Sequence, residues 1–550
     1  MKIEGQVAMR AGFEEEIAAF NKKSKDQIEI IPFVAGEGRK GILNQVTQME
    51  EALGKNPDVI VIQPTDNSAL ARGLQEANKK KVPVIAYDQY IVNGDLTYFL
   101  TSDNFQAGRD NGNHIDSIFP RDKKLNIVVF EYPKVSSTTD RVDGFFEALR
   151  EKSRRFDVLK RYQAVDPISG SVAAKRFMKD FPRQDSVDII LTVNDGGGLT
   201  IVKNLWDRKR RKLVHATFDG DPLSVENIKN KKLTVIDSAQ FCAELGRETA
   251  RALIAHLSGQ KWPEKKLVPT FPVTLRTLKA FPGWMGKPIA RVPEQSVEKL
   301  EPIVLPSAKD LGQNRLIITI GIAPLCPYIC ERAPGVWSGY VYDILKTVGD
   351  KRGFNLEIES IPNNRLVDYL KQRKVDYIIA PVDLVRYMDS VSIVGPTLGV
   401  NSMAALVSPE FKENLIDEEF VKNKKIVFAD LGIELQSLNE VMPPEKISKL
   451  SGFDAVDRMI NMIGDRRVDL AIGDFNVLRY NLSRKPSANL QLLPTSLAGF
   501  DPLILATMPR KGQPEYLSIF LNDWMAEARA DKSLDKILKK YNLKDWRIIN

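Results

Sequence analysis

Along the first half of the chain, short apolar runs alternate with longer stretches whose apolar residues recur every three or four positions. The runs are Ile28–Val34, Val59–Gln63, Val82–Tyr87, Tyr98–Ser102, Leu125–Phe130, Ile189–Val193, Val214–Asp219 and Leu233–Asp237. Helical spacing fills most of the gaps, as in Gly41–Leu53 and Asn67–Asn78. Short β-rich runs separated by helices of this length predict βαβ units and a mainly parallel sheet. Several runs end at a polar residue: Gln63, Asp88, Asn194 and Asp219. Ligands of open parallel sheets bind beyond the carboxyl ends of the strands, so these positions mark where a site belongs. The chain itself opens in helical spacing, with Val7, Met9, Phe13, Ile17 and Phe20 and no strand before them.

Between Gly286 and Gln313 the periodicity stops. This stretch carries four prolines and predicts an extended linker, because proline removes a donor and fixes φ. The chain is therefore expected to divide into residues 1–285, a linker 286–313 and residues 314–550. The run Leu316–Ile322 opens a second α/β unit. Within it, Lys374–Pro381 (KVDYIIAP) is echoed by Arg467–Asp474 (RVDLAIGD), which predicts two similar lobes.

Composition narrows the function classes. The 550 residues are 43% hydrophobic and 27% charged, an ordinary globular balance with room for about three or four compact units. No run approaches the ~18 apolar residues of a membrane span. The N-terminus lacks the charged, apolar and small-residue regions of a signal peptide. No membrane insertion is expected. The three cysteines exclude a disulfide-rich scaffold, and the three histidines lie far apart without HExxH or paired CxxC spacing. Neither a metal site nor a cofactor is expected. The net charge is +8, with cations mostly beside acids. The densest run, Arg208–Lys212, reads as a solvated loop before a strand, and no nucleic-acid partner is expected.

Two short motifs are weak. Gly36–Gly41 has GxGxxG spacing, but the next strand ends Ile62, Gln63, Pro64 with no acid, so it reads as a strand-to-helix turn. Cys326 and Cys330 share a proline-rich loop. A tight turn there brings them within disulfide reach, with two free thiols as the alternative. Cys242 reads as a small buried helix residue. No Ser/His/Asp set can be assembled.

Residues 7–275 resemble the type I periplasmic binding proteins of the ribose-binding branch. The resemblance is carried by NPDVIVIQPTDNSALARGLQEANKKKVPVIAYDQ, TSDNFQAGRDNGNHI, TDRVDGFFEAL, TVNDGGGLTIVKNL, ATFDGDP and VIDSAQFCAELGRE. It implies two doubly wound lobes joined by three crossovers, with sugar held in the cleft between them. It places ligand contacts at Asp88, Arg141, Asn194, Asp219 and Gln240, with Gln89 where the family usually carries Arg. The chemistry agrees: carboxylates accept, Arg donates a fork, and Asn and Gln do both toward hydroxyls. The aromatic platforms of the family fall at Gly5, Gln6 and near Pro167, leaving Tyr90 as the candidate ring. The family's first strand, central in that fold, has no counterpart in the sequence.

Residues 314–550 resemble type II extracellular solute-binding proteins of the polar amino-acid class. The markers are IITIGIAPLCPYICERAPGVWSGYVYDIL, LVDYLKQRKVDYIIAP, MINMIGDRRVDLAIGDFNVL and DKSLDKILKKYNLKDW. The resemblance implies Arg386, with Arg365 in reserve, on a ligand carboxylate. It also implies Asp474 on an ammonium and Tyr328 stacking.

The expectation is thus an α/β chain of two consecutive two-lobed Venus-flytrap modules, type I then type II. Its expected role is non-catalytic binding of a sugar or polyol and an amino-acid-like molecule outside the cytoplasm. An ABC permease or a membrane sensor is the expected partner. Two other readings stay open: a dehydratase on the type II fold with Glu434 as acid, and the effector domain of a transcription regulator.

Overall fold

The computed structural model describes residues 4–36, 38–66, 69–92, 94–132, 136–289, 316–381, 391, 397–400, 403–411, 416, 418–429, 442–451, 454–485, 488–495, 504–510 and 516–543. The chain forms two compact units that divide at Ile303 and Val304, inside the proline-containing stretch, most of which lies outside the described residues.

The first unit has two sheets. One holds Ile60–Ile62, Val84–Tyr87, Tyr98–Ser102 and Lys265–Val268 in that order, all parallel. The other runs Phe271–Val273, Thr234–Ala239, Val214–Asp219, Ile189–Thr192, Leu125–Glu131 and Phe156–Gln163. Only Phe271–Val273 is antiparallel. In sequence order the chain passes between the two sheets three times. Each lobe has its own core. Met9, Ile17, Ile85, Leu100 and Leu245 pack in the first, and Val128, Phe130, Phe177, Ile190 and Leu205 in the second.

The opening helix Glu4–Asn21 lies against the helix Cys242–Leu257. A Cβ on Gly12 would sit 2.0 Å from the Ala243 carbonyl oxygen, and one on Gly246 1.8 Å from that of Met9. Both glycines are required by this backbone approach. Cys242 begins the second of these helices and is buried.

Most runs become strands within a residue or two of their predicted ends. The exception is Ile28–Val34. It has strand composition but forms no strand, and Ile30, Ile31 and Val34 are 38%, 53% and 71% exposed. Side chains of neighbouring helices hold its ends instead. Asn21 exchanges hydrogen bonds with the Ile28 backbone, and Gln48 donates to the Val34 carbonyl. Among the described residues it pairs with no strand, so composition alone did not make it one. The next strand along the chain, Ile60–Ile62, is an edge of its sheet. Conversely, Phe156–Gln163 was not among the apolar runs. It is an edge strand, half-buried along most of its length, and tolerates Lys160 and Arg161.

Among the described residues the second unit has two five-stranded sheets and a two-stranded antiparallel pair, Cys330–Ala333 with Val336–Ser338. The first runs Phe354–Ser360, Leu316–Ile322, Tyr377–Pro381, Ile504–Pro509 and Thr397–Val400. The second runs Ile447–Leu450, Ile426–Ala429, Leu470–Asp474, Met403–Val407 and Gln491–Pro494. The echoed sequences form the middle strand of each sheet, and their likeness has a physical content. Each preceding helix is followed by a basic residue at positive φ, Arg373 at 60° and Arg466 at 57°. Asp376 then accepts from Thr319 N–H at 2.9 Å, and Asp469 from Lys425 N–H at 2.7 Å. In each lobe one carboxylate thus fixes the register of the adjoining strand. Asp188 repeats the device in the first unit, accepting from Asn126 N–H at 2.9 Å.

Candidate functional site

The polar positions of the first unit do cluster at strand carboxyl ends. Asp88 follows Val84–Tyr87, Asp219 closes Val214–Asp219, and Gln240 follows Thr234–Ala239. Arg141 comes from the helix Ser136–Glu151. Its Nη1 lies 2.9 Å from Asp219 Oδ1 and donates to the Val193 carbonyl at 2.7 Å, while its Nε donates to Asn104 Oδ1 at 2.9 Å. Its guanidinium covers the Phe218 ring at 5.2 Å. Gln240 Nε2 donates to the same Asp219 oxygen at 2.7 Å, and Gln240 Oε1 accepts from Ser102 at 2.7 Å. Gln63 Nε2 holds Asp88 Oδ2 at 2.7 Å. Burial raises the Asp88 pKa, opposed by the Gln63 hydrogen bond and the Arg141 charge.

The backbone at this site is held in unusual conformations. Asp88 has φ 64° and Asp219 φ 111°. Non-glycine residues persist there only when their surroundings over-determine them. At Asp219 they do. Trp284 Nε1 donates to the Asp219 carbonyl at 2.6 Å, Gly220 N–H to Asp237 at 2.9 Å and Asp221 N–H to Asp195 at 2.8 Å. Burial, and next the Asp237 charge, push Asp195 well up, and burial pushes Asp237 up to about 6. Both buried acids behind Asp219 thus stand above the ordinary carboxylate range.

The remaining sequence candidates divide. Gln89 and Ser137 exchange hydrogen bonds at 2.9 and 3.1 Å, tying the two lobes together. Asn194 caps the helix Asp195–Asp207 through Gly197 N–H at 3.2 Å, and donates to the Val165 carbonyl at 2.8 Å. Both ends of its amide are thus used locally. Tyr90 is buried and packs edge-on against Phe99 at 5.2 Å, so its ring belongs to the core. Gly5 lies within a helix and Pro167 is an exposed helix start. Ser102, Asn104, Ser137 and Trp284 were missed. Asn104 and Ser102 carried a signal, since both flank the cap Asp103 at the end of a strand. Trp284 carried none, standing 65 positions from its partner.

In the second unit, Cys326 and Cys330 form a disulfide with a Cα separation of 5.0 Å. Tyr328 sits between them and is 1% exposed. Its ring packs in the first lobe's core beside Ile320, Tyr340 and Leu345. Its hydroxyl lies 3.1 Å from both oxygens of Asp474, at the end of the central strand of the other lobe. Asn476 Nδ2 donates to the Tyr328 oxygen at 3.3 Å, and Arg479 to Asn476 Oδ1 at 3.0 Å. Asp474 also caps the helix Phe475–Ser483 through Val477 N–H at 2.9 Å. Burial pushes Asp474 up to about 7. Asn476 and Arg479 escaped the sequence reading. Arg386 and Glu434 lie outside the described residues. Arg365 is exposed on the helix Asn363–Lys371, its guanidinium 5.9 Å from the Tyr369 ring.

Comparison with known proteins relates both halves of the chain to binding-protein families. Residues 2–261 match the periplasmic binding protein domain family. Residues 318–544 match the bacterial extracellular solute-binding proteins, family 3. The chain is a tandem fusion of a type I periplasmic binding protein module and a family 3 solute-binding module. Its first module is similar to the ribose import binding protein RbsB of Salmonella typhimurium, with 24% identity over 42% of this chain and 75% of that protein. RbsB of Bacillus subtilis is 23% identical over 46% of this chain and 79% of its own length. The multiple sugar-binding periplasmic protein SbpA of Azospirillum brasilense is 31% identical over 30% of this chain and 50% of its own. These families indicate an extracytoplasmic location. Among the described residues, no helix is long and apolar enough to cross a membrane.

Proposed function

We propose that the first module binds a neutral polyhydroxylated solute, a sugar or polyol, without catalysis. The second takes a small amino-acid-like molecule carrying a cationic group. The pair would serve an ABC importer or a membrane sensor from the periplasm. The observation that carries the reading is the lattice Asp88, Arg141, Asp219 and Gln240 at the strand ends. Arg141 offsets Asp219, and the Gln63 and Gln240 amides add neutral donors and acceptors, an array that suits hydroxyls. The relatives named for ribose and multiple sugars support the same class. With glycine, glutamine and proline at the usual aromatic positions, recognition rests on hydrogen bonds, and polyols belong beside pentoses in any screen. In the second module Asp474 is a buried carboxylate that meets a tyrosine hydroxyl and backbone N–H, so an ammonium group would complete it.

Each lobe supplies part of either site, so ligand contacts favour the closed form by differential affinity. The test is thermal unfolding of the whole chain against pentoses, hexoses, polyols and amino acids. A ligand at 100 times its Kd adds about 2.7 kcal/mol to its own module. One transition should rise with a sugar or polyol and the other with an amino-acid-like compound. A first transition that responds only to charged compounds would sink the reading.

A further inference from the structure

We propose that the amino-terminal end of the six-stranded sheet in the first module is an electrostatic docking surface for an anionic membrane leaflet. The five parallel strands of that sheet end beside the cluster of Arg141, Asp219 and Gln240 on one side and begin, on the opposite side, from loops rich in cations. Several of these cations are neutralised locally: Lys123 by Asp188, Lys124 by Asp157, Arg121 by Asp116 and Arg183 by Asp185.

Two adjacent loops are different. Arg208, Lys209, Arg211 and Lys212 precede Val214–Asp219, and Lys229, Lys231 and Lys232 precede Thr234–Ala239. These strands are hydrogen-bonded neighbours, with His215 opposite Thr234. Six of the seven cations are exposed and Lys232 is half-buried. Among the described residues none forms an ion pair with a carboxylate, and the acids around them are engaged by other groups: Asp207 by Lys203 at 2.6 Å, Asp185 by Arg183 at 3.3 Å and Glu226 by the Asn230 amide at 3.2 Å.

Helix ends alone do not account for this. The helices Asp195–Asp207 and Pro222–Lys229 finish here, and one or two cations would complement each carboxyl terminus. Lys209 and Lys231 moreover hold φ of 58° and 51°, a region in which glycine or asparagine is the easier choice. Charge is kept there at a backbone cost. The first loop is also fixed in place. Arg210 is buried and donates to the Pro182 and Arg183 carbonyls, and the half-buried Trp206 carries Arg211 at 4.2 Å over its ring. Cations on rigid loop ends of neighbouring strands form a broad front, without the groove and interleaved aromatics that suit a nucleic-acid strand. Because the front lies opposite the ligand-binding ends of the strands, adsorption leaves the cleft free.

The experiment is co-sedimentation of the whole chain with vesicles. One set is phosphatidylcholine alone, and the other contains about a third phosphatidylglycerol. Binding is expected to the second set only and to vanish by about 0.3 M salt. The variant Arg208→Gln, Lys209→Gln, Arg211→Gln, Lys212→Gln should lose at least about tenfold in partitioning, since each cation near an anionic surface is worth about fivefold. Lys22→Gln, Lys23→Gln, Lys25→Gln removes exposed charge elsewhere and should change binding little. Thermal unfolding shows that both variants fold. Equal losses in the two variants would reduce the effect to net charge and overturn the proposal. So would binding to phosphatidylcholine alone, or tighter retention on double-stranded DNA than on anionic vesicles.

Discussion

The two candidate sites solve the problem of buried charge in opposite ways. In the first module, a guanidinium and carboxylates are buried together, and Arg141 meets Asp219 directly. In the second, Asp474 is 2% exposed and is met by the Tyr328 hydroxyl and backbone N–H instead. A buried ion pair keeps its charges and offers a fixed array of donors and acceptors. A buried lone carboxylate moves its pKa instead, here up to about 7. On the function proposed above, the first arrangement would receive a neutral ligand and the second a cation.

The comparison breaks most sharply at Arg141. Arg141→Met leaves the half-buried Asp219 without its cation, and the Val193 carbonyl and Asn104 without their donor, and should cost the first module about 3 kcal/mol. The second module's transition should not move. A calorimetric loss under about 1 kcal/mol would mean that Arg141 and Asp219 are not a coupled pair. Next comes the disulfide. Cys326→Ser with Cys330→Ser frees the loop that carries Tyr328, and should cost the second module alone about 2 kcal/mol. An unchanged second transition in denaturant would show that the Tyr328 loop holds without its bridge.

Asp474 gives the pH test. Its folded pKa lies above the ordinary carboxylate value of 3.8. Between those values the native state therefore binds more protons than the unfolded chain. Stability of the second module should fall as pH rises from about 4 to 7, then level off. Asp474→Asn keeps a capping side chain, removes that slope and gains on the order of 1 kcal/mol at pH 8. Parallel pH profiles for the two proteins would remove Asp474 from the account. The smallest effect belongs to Gln89 and Ser137. A double-mutant cycle with alanine at both should give a coupling of about 1 kcal/mol, read as weaker affinity for the first module's ligand. Strict additivity would show that this lobe-to-lobe contact does not favour closure.

Much of this was legible in the chain. Strand ends marked by Asp88 and Asp219 pointed at the site because parallel sheets put polar residues where strands stop. The echo of Lys374–Pro381 in Arg467–Asp474 was legible because both segments fix a neighbouring strand through an aspartate in the same register. Asn194 looked like a ligand contact, yet its amide serves the loop; a strand-end asparagine has the same signature for either task. Trp284, and the hydroxyl contact of Tyr328 (expected only as a stacking ring), were opaque for another reason. Their roles depend on partners 65 and 146 positions away, and no local pattern encodes such a distance. Ile28–Val34 misled because composition gives a run only the propensity to pair, and here the backbone at its ends bonds to the Asn21 and Gln48 side chains instead.

That run has a practical consequence. Ile60–Ile62 offers one unpaired strand edge, and the exposed Ile30, Ile31 and Val34 offer a segment of matching chemistry. Unpaired edges beside apolar, β-branched sequence are templates for pairing with another chain. Purified samples should therefore lose monodispersity as concentration rises, faster with sulfate than with chloride, because excluded salts strengthen apolar burial. Lysine at position 31 would be the first change to make when preparing the protein for storage or crystallisation, since a charge on such a run blocks sheet growth without touching either cleft.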